Sequence, residues 1–325
     1  MSRKKNSNKI KKKIKEIVIF LIIICILGIL QNFGIIQIDE VNSFFDSTLS
    51  NISEIDSNTE DTISIETTNI DGENVKIYFI DVGQADCSLL VSNNETMLID
   101  AGNNEDGKYI VDFIKSLGIN KIDYVIGTHA HEDHIGGLDN VIREFEIENV
   151  LLSPVTSNTQ TYEGVLEEIE KKNLGITVPK IGEKFKVGNT VSTVLSVSDD
   201  ENETNNSSIV VRTEFYNNSF LFMADLESNY EKKIKWPETT VLKVGHHGAE
   251  TSSCNYFLNQ VKPKYSIISV GEDNSYNHPS SITLNRLRNI KSEVYRTDEK
   301  GTVVLTSDGN KVDFEFHKTN TNCEK

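Results

Sequence analysis

Residues 124–137 read Tyr124-Val125-Ile126-Gly127-Thr128-His129-Ala130-His131-Glu132-Asp133-His134-Ile135-Gly136-Gly137. A short apolar strand ends here in three histidines and an aspartate, and a helix follows from Ile135. In extended chain, residues i and i+2 share a face, so His129 and His131 converge. The turn into the helix swings Asp133 and His134 toward the same point, and Gly136 and Gly137 allow close backbone approach. Imidazole nitrogens with a carboxylate suit zinc or another borderline divalent ion. A merely polar loop does not explain four ligand-type residues packed into a strand end.

Later strand ends carry further candidates. Phe220-Leu221-Phe222-Met223-Ala224 is an apolar strand that ends at Asp225. A lone carboxylate there reads as a helix cap, but beside a metal motif it reads as a bridging ligand. Thr240-Val241-Leu242-Lys243-Val244-Gly245 delivers His246-His247-Gly248. Adjacent residues on one strand point apart, so one histidine is expected to bind metal and the other to hold substrate or a ligand. His278, in Asn277-His278-Pro279, reads either as a capped turn or as a catalytic group, and His317 reads as structural.

Outside these positions the chain alternates strands and helices from Val75 onward. Strands are expected at 75–82, 87–91, 96–99, 124–127 and 150–152, and helices at 109–117, 135–145 and 162–172. Strands at 184–187, 191–197, 208–215 and 219–223 follow, and the mixed order then recurs to 316. The expected class is α/β, with two mixed sheets face to face and helices outside.

The first 71 residues are of another kind. Residues 1–16 hold eight basic groups and one acid. Residues 17–36 run Ile17-Val18-Ile19-Phe20-Leu21 and onward almost uninterrupted by polar groups. A helix of that length spans roughly 30 Å, the bilayer core. The basic flank expects the N-terminus in the cytoplasm and the rest outside. With no small-x-small cleavage site and no small residue before Cys25, an uncleaved signal anchor is expected, neither cleaved nor lipidated. Residues 37–71 hold nine acids and read as a flexible tether reaching on the order of 30 Å. The expected organisation is therefore a flank (1–16), a transmembrane anchor (17–36), a tether (37–71), a catalytic domain (72–318) and a tail (319–325).

Of the net charge of −16, about −14 belongs to residues 72–325. That excludes a basic nucleic-acid binder held by a broad positive field. Arg286, Arg288, Lys291, Arg296 and Lys300 make a short basic region that reads first as a solvated face. Cys25, Cys87, Cys254 and Cys323 form no CxxC pair, which excludes a disulfide scaffold and a thiolate zinc knuckle.

The H-x-H-x-D-H run, Asp225 and the His246 strand end make the chain resemble the metallo-β-lactamase-fold hydrolases. Asp81-Val82-Gly83-Gln84-Ala85-Asp86, Leu98-Ile99-Asp100-Ala101-Gly102, Lys243–Gly248 and Asn277-His278-Pro279 bring it nearer to the extracellular hydrolase domain of ComEC-type competence DNA-uptake proteins. The resemblance spans about residues 75–316 and implies an αββα sandwich. It implies one or two divalent ions, zinc or manganese. His129 and His131 would hold one, Asp133, His134 and the likelier-placed His246 the second, with Asp225 bridging. Asp86, Asp100, Asn206 and Ser208 would support the site or substrate. The chain departs from the superfamily in having no histidine between His134 and His246, and from the ComEC-type pattern at Ala85, Ala249 and Asn277. Only one span is expected, so the chain is not itself read as a DNA channel.

The expected chemistry is phosphodiester hydrolysis, with DNA or a nucleotide as substrate. Asp133 would orient the attacking water, and His278 or His247 would hold the anion or protonate the leaving oxygen. The acidic domain keeps two alternatives open: a hydrolase of small esters, lactones or phosphodiesters, and a non-catalytic surface binding module.

Overall fold

A computed structural model describes residues 74–318. The expected flank, membrane span, tether and tail all lie outside the described residues. Among the described residues no helix is long and apolar enough to cross a membrane.

Fifteen strands are described: β1 (Val75–Phe79), β2 (Ser88–Ser92), β3 (Glu95–Ile99), β4 (Lys121–Gly127), β5 (Glu146–Leu152), β6 (Ile176–Thr177), β7 (Lys184–Val187), β8 (Thr190–Ser196), β9 (Val210–Phe215), β10 (Asn218–Phe222), β11 (Val241–Lys243), β12 (Tyr265–Ile268), β13 (Glu293–Arg296), β14 (Thr302–Ser307) and β15 (Val312–His317). They form an eight-stranded sheet, β15-β14-β1-β2-β3-β4-β5-β6, and a seven-stranded sheet, β13-β12-β11-β10-β9-β8-β7. Each sheet changes character along its width. β3 to β6 run parallel, as do β10 to β13, while the other pairs are antiparallel.

The alternation of side chains explains why these strands read as nearly continuous apolar runs. Ile77, Phe79, Leu90, Met97 and Ile126 point to the inner core, where they meet Val211, Phe220, Phe222 and Val241 of the other sheet. Their neighbours Tyr78, Leu89, Leu98 and Val125 point outward, under α1 (Gly107–Ser116), α3 (Leu138–Glu144) and α4 (Gln160–Lys171). On the opposite outer face, Leu221, Leu242 and Ile268 pack beneath α6 (Asn255–Val261) and α7 (Ser281–Asn289). The layers are therefore helix, sheet, sheet, helix, as expected.

The single helix expected over 135–145 is divided. A first turn, α2 (Glu132–Ile135), precedes α3, and Gly136 and Gly137 lie between them. A Cβ on Gly136 would sit 2.2 Å from the Asn103 carbonyl carbon, and one on Gly137 would sit 2.5 Å from the Ala101 oxygen. This contact holds the loop after β3 against the histidine-bearing turn. Gly136 N–H donates to Gly102 O at 2.8 Å and Ala101 N–H to His134 O at 2.7 Å. Three short elements carry no readable period: β6, α5 (Ser228–Glu231) and α8 (Thr297–Lys300).

Candidate active site

Parallel strands direct their C-terminal ends toward one edge of a sheet, where ligands of open α/β sheets are commonly found. β3 ends just before Asp100, β4 just before the 129–134 run, β10 just before Asp225, and β11 just before His246 and His247. Ala224, His246 and His247 all adopt left-handed backbone, with φ of 46°, 51° and 51°. Non-glycine residues pay on the order of 1–3 kcal/mol each for such conformations, and they cluster at functional sites. Here two consecutive left-handed residues turn adjacent side chains into the same cleft. Expectation from a straight strand, that they point apart, does not hold.

Each buried ring has one nitrogen tied down and the other aimed inward. His134 Nδ1 pairs with Asp100 Oδ2 at 2.8 Å. Asp100 is itself fixed by the Thr128 N–H and hydroxyl, each at 2.8 Å. His247 Nδ1 lies 3.0 Å from Ser269 O and 3.3 Å from Asp86 Oδ1. Lys243 Nζ donates to Asp86 Oδ2 at 2.8 Å. His129 Nδ1 faces the hydroxyls of Thr128 and Ser208 at 3.2 and 3.4 Å.

The inward atoms meet around Asp225. His134 Nε2 lies 3.2 Å from Asp225 Oδ1 and 4.0 Å from Asp133 Oδ2. His247 Nε2 lies 3.3 Å from Asp133 Oδ2 and 3.9 Å from Asp225 Oδ1. Yet His134 Nε2, His247 Nε2 and Asp225 Oδ1 are buried and make no hydrogen bond. Buried polar atoms left this way are costly unless something else satisfies them. Ligands of a tetrahedral ion at about 2.0–2.2 Å stand roughly 3.4 Å from one another, so the spacing fits a shared cation. Asp133, His134 and His247 form one such group, and His129, His134 and Asp225 another.

The partner of Asp133 and His134 is thus His247, not His246 as the resemblance implied. The His247 side chain is 2% exposed and the His246 side chain 21%. His246 faces the other oxygen of Asp225, at 3.5 Å from Oδ2.

Electrostatics agree with a cation-seeking site. Burial alone lowers the His247 imidazole, but the Asp86 and Asp225 carboxylates and the nearby Asp133 raise it to about 10. Burial also opposes a charge on His134, but Asp225 and Asp100 raise it well above its ordinary value. Burial pushes Asp133 up, whereas His247 and His134 outweigh it and hold the carboxyl at about 2. His129 moves the other way: burial and the neighbouring His134 keep it well below its ordinary value.

The remaining expected residues sort by position. Asn206 and Ser208 are fully buried. Ser208 Oγ accepts from Asp225 N–H at 3.2 Å, and Asn206 Oδ1 accepts from Glu227 N–H at 3.0 Å. Both therefore brace the loop rather than meet a substrate. His278 stands at the mouth of a cleft of about 330 Å³, lined also by Gln84, His131, Asn205 and Tyr276. Gln84 Nε2 lies 3.4 Å from His278 Nδ1. Tyr276 is 67% exposed and stacks on His278 at 5.7 Å and 25°. Burial and the nearby His247 and His246 lower the His278 imidazole to about 4, so it is neutral at pH 7.

Lys243, Gln84 and Tyr276 were not singled out from the sequence. Lys243 had a signal: a cation inside the apolar run Val241–Val244 needs a buried partner. The short basic region is largely engaged within the fold. Arg286 donates to Glu250 O and Ser252 O, Arg296 pairs with Asp298 and Glu299, and Lys300 lies over the Phe316 ring.

A sandwich of two mixed sheets with a histidine- and aspartate-lined cleft at the strand ends defines a class, and the sequence profile agrees with it. The Metallo-beta-lactamase superfamily profile matches residues 80–272, and the chain belongs to that superfamily. Among curated proteins, it is 29% identical over 251 residues to ComE operon protein 3 of Bacillus subtilis, which covers 70% of this chain and 32% of that protein. It is 29% identical over 236 residues to Recombination protein 2 of Haemophilus influenzae, covering 69% and 28%. It is 28% identical over 228 residues to Competence protein ComA of Neisseria gonorrhoeae, covering 68% and 30%. These relatives are competence proteins of the ComEC type, and the chain spans about a third of their length.

Proposed function

We propose that this protein is a membrane-anchored, metal-dependent phosphodiester hydrolase acting on single-stranded DNA or a nucleotide outside the cell. The observation that carries the reading is the set of buried, unpartnered atoms of His134, His247 and Asp225 beside Asp133. Asp133, His134, His247 and Asp225 would hold one ion, and His129 and His131 contribute to a second on the other side of Asp225. Divalent ions bound there would supply an activated water at neutral pH and stabilise charge developing on phosphoryl oxygens.

The chain's own residues do the positioning. Asp133 is one-third exposed and kept ionised, so it can accept a hydrogen bond from an entering water and hold its orientation. His278, neutral and steadied by Gln84, offers a hydrogen bond to an anionic substrate at the cleft mouth. Tyr276 presents an exposed ring on which a base can stack, which is sequence-tolerant. The relatives named for competence and recombination support nucleic acid as the substrate class.

The cleft volume keeps a small phosphodiester as a second reading, since about 330 Å³ holds a mononucleotide but not a duplex. Metal-loaded protein assayed on a single-stranded oligonucleotide, a generic phosphodiester and a lactone separates these readings. Cleavage of the oligonucleotide is expected. Cleavage of the lactone alone would overturn the reading, and cleavage of none would favour a binding module. Residues 17–36 are proposed to anchor the protein in the bilayer. Protease added to intact protoplasts is expected to release the 72–318 domain, and full protection would contradict the topology.

A further inference from the structure

A second cavity adjoins the catalytic cleft. Its volume is about 610 Å³, and Asn104, Glu132, Asn140, Gln160, Thr161 and Gly164 contribute to its lining. Small-molecule sites are commonly of this size. Glu132 lines both this cavity and the cleft of Asp133 and His278, and no other residue does. A ligand that reaches from one to the other therefore passes over Glu132. Gly164 is a further clue. It sits inside α4, where glycine is less favourable than alanine. Close packing often accounts for a helical glycine, yet nothing would lie within 4 Å of a Cβ here. The missing side chain leaves open floor, one helical turn after Gln160 on the same face.

We propose that this cavity binds the base of a nucleotide next to the one in the cleft, so that the substrate is a strand rather than a mononucleotide. The inference deepens the proposed function and rests on its phosphodiester chemistry. The lining selects the ligand class. It holds no lysine or arginine, but it does hold Glu132 and Asp139. Asp139 is balanced by Arg143 at 2.8 Å, whereas Glu132 is exposed. A phosphate is repelled by such a wall and is left to the cations of the cleft. A neutral heterocycle is not repelled.

Carboxamides and carboxylates are the side chains that pair with base edges. Asn and Gln match adenine, and Glu and Asp match the amino group of cytosine. Unpaired bases of single strands expose these edges. Asn104 Oδ1 accepts from Thr161 Oγ1 at 3.2 Å, which fixes the amide and leaves its NH₂ to donate. Asn140 Nδ2 donates to Asp139 Oδ1 at 2.6 Å. Tyr276 lines the cleft but not the cavity, so two bases of one strand have separate seats.

The test fills the cavity from its floor. Gly164 lines the cavity and not the cleft, and Gly164→Leu extends a side chain into open space while favouring the helix. Gly164→Ala adds one methyl group and is the control. Full-length protein in detergent, loaded with Mn²⁺, is titrated with a fluorescent single-stranded phosphorothioate oligonucleotide, which resists cleavage. Gly164→Leu is expected to raise Kd about tenfold, the loss of one base contact, and Gly164→Ala to leave it within about twofold. Wild type and Gly164→Leu are expected to bind an abasic strand equally. With cleavable substrates, Gly164→Leu should raise KM about tenfold for the oligonucleotide and leave a generic phosphodiester unaffected. Wild-type affinity for the intact strand in Gly164→Leu would overturn the inference. So would an equal loss on the abasic strand, or no binding by wild type. Binding that depends on Gly164 in a protein that cleaves no phosphodiester would sink the proposed function and leave the base site. Cleavage of both substrates unchanged in Gly164→Leu would sink the base site alone.

Discussion

Lys243→Met probes the buried charge pair behind the site. Lys243 ends the short strand β11 with its side chain 2% exposed, and its ammonium lies 2.8 Å from Asp86, whose side chain is 6% exposed. Burial pushes the Asp86 carboxyl up, but Lys243 and His247 outweigh it and keep it well below the usual carboxylate range. Removing the lysine leaves that carboxylate buried and undercompensated. Breaking one partner of a buried pair costs about 3–5 kcal/mol, a large part of the roughly 5–15 kcal/mol that holds a domain together. Urea unfolding of chelated protein at pH 7 is the assay, run on wild type, Lys243→Met, Asp86→Asn and the double variant. Each single variant is expected to lose about 3–5 kcal/mol, and the double to lose less than either, because neither charge is then left alone. The loss in Lys243→Met should shrink as pH falls and Asp86 takes up a proton. Because Asp86 also lies beside His247 Nδ1, retention of an ion held by Asp133, His134 and His247 should weaken by about 10–100-fold. Single variants within about 0.5 kcal/mol of wild type, or a double variant equal to the sum of the singles, would refute the reasoning.

Metal uptake is expected to release protons at pH 7, because His247 is held protonated up to about 10 in chelated protein. Affinity therefore rises with pH, and calorimetry in buffers of different ionisation enthalpy reads the release. The raised His247 value contributes stability that is full below about 6.5 and lost as pH climbs through about 10, so the melting temperature of chelated protein should fall over that window. Gly136→Ala should cost about 3 kcal/mol, since its Cβ would meet backbone at 2.2 Å. Gly164→Ala in α4, where nothing lies within 4 Å, should instead stabilise by about 0.5–1 kcal/mol, and denaturant melts distinguish the two. Tyr276→Ala should raise KM for a single-stranded oligonucleotide about tenfold, roughly 1.4 kcal/mol of stacking, without changing metal content.

The site was readable where its chemistry depends on residue type at a strand end. His129, His131, Asp133 and His134 announce themselves by spacing, and Asp225 by closing an apolar strand. The two-sheet architecture was readable because strands covered on both faces leave short, nearly continuous apolar runs such as Phe220–Ala224. What escaped depends on backbone torsions and on distant partners. That His247 rather than His246 stands beside Asp133 and His134 depends on two consecutive left-handed residues, which the residue types do not encode. The break at Gly136 and Gly137 was hidden because the contacts that demand it come from Asn103 and Ala101, 33 and 36 residues earlier. Asp86 and Lys243, 157 positions apart, meet only in the fold.

Cleavage of a single-stranded oligonucleotide by wild type and Asp133→Ala, each titrated with Mn²⁺ and Zn²⁺ after chelation, tests the central claim most directly. The expected result is cleavage by wild type that requires added metal and is abolished by chelator, and none by Asp133→Ala. Equal cleavage by the two proteins, or cleavage by wild type that persists in chelator, would contradict it.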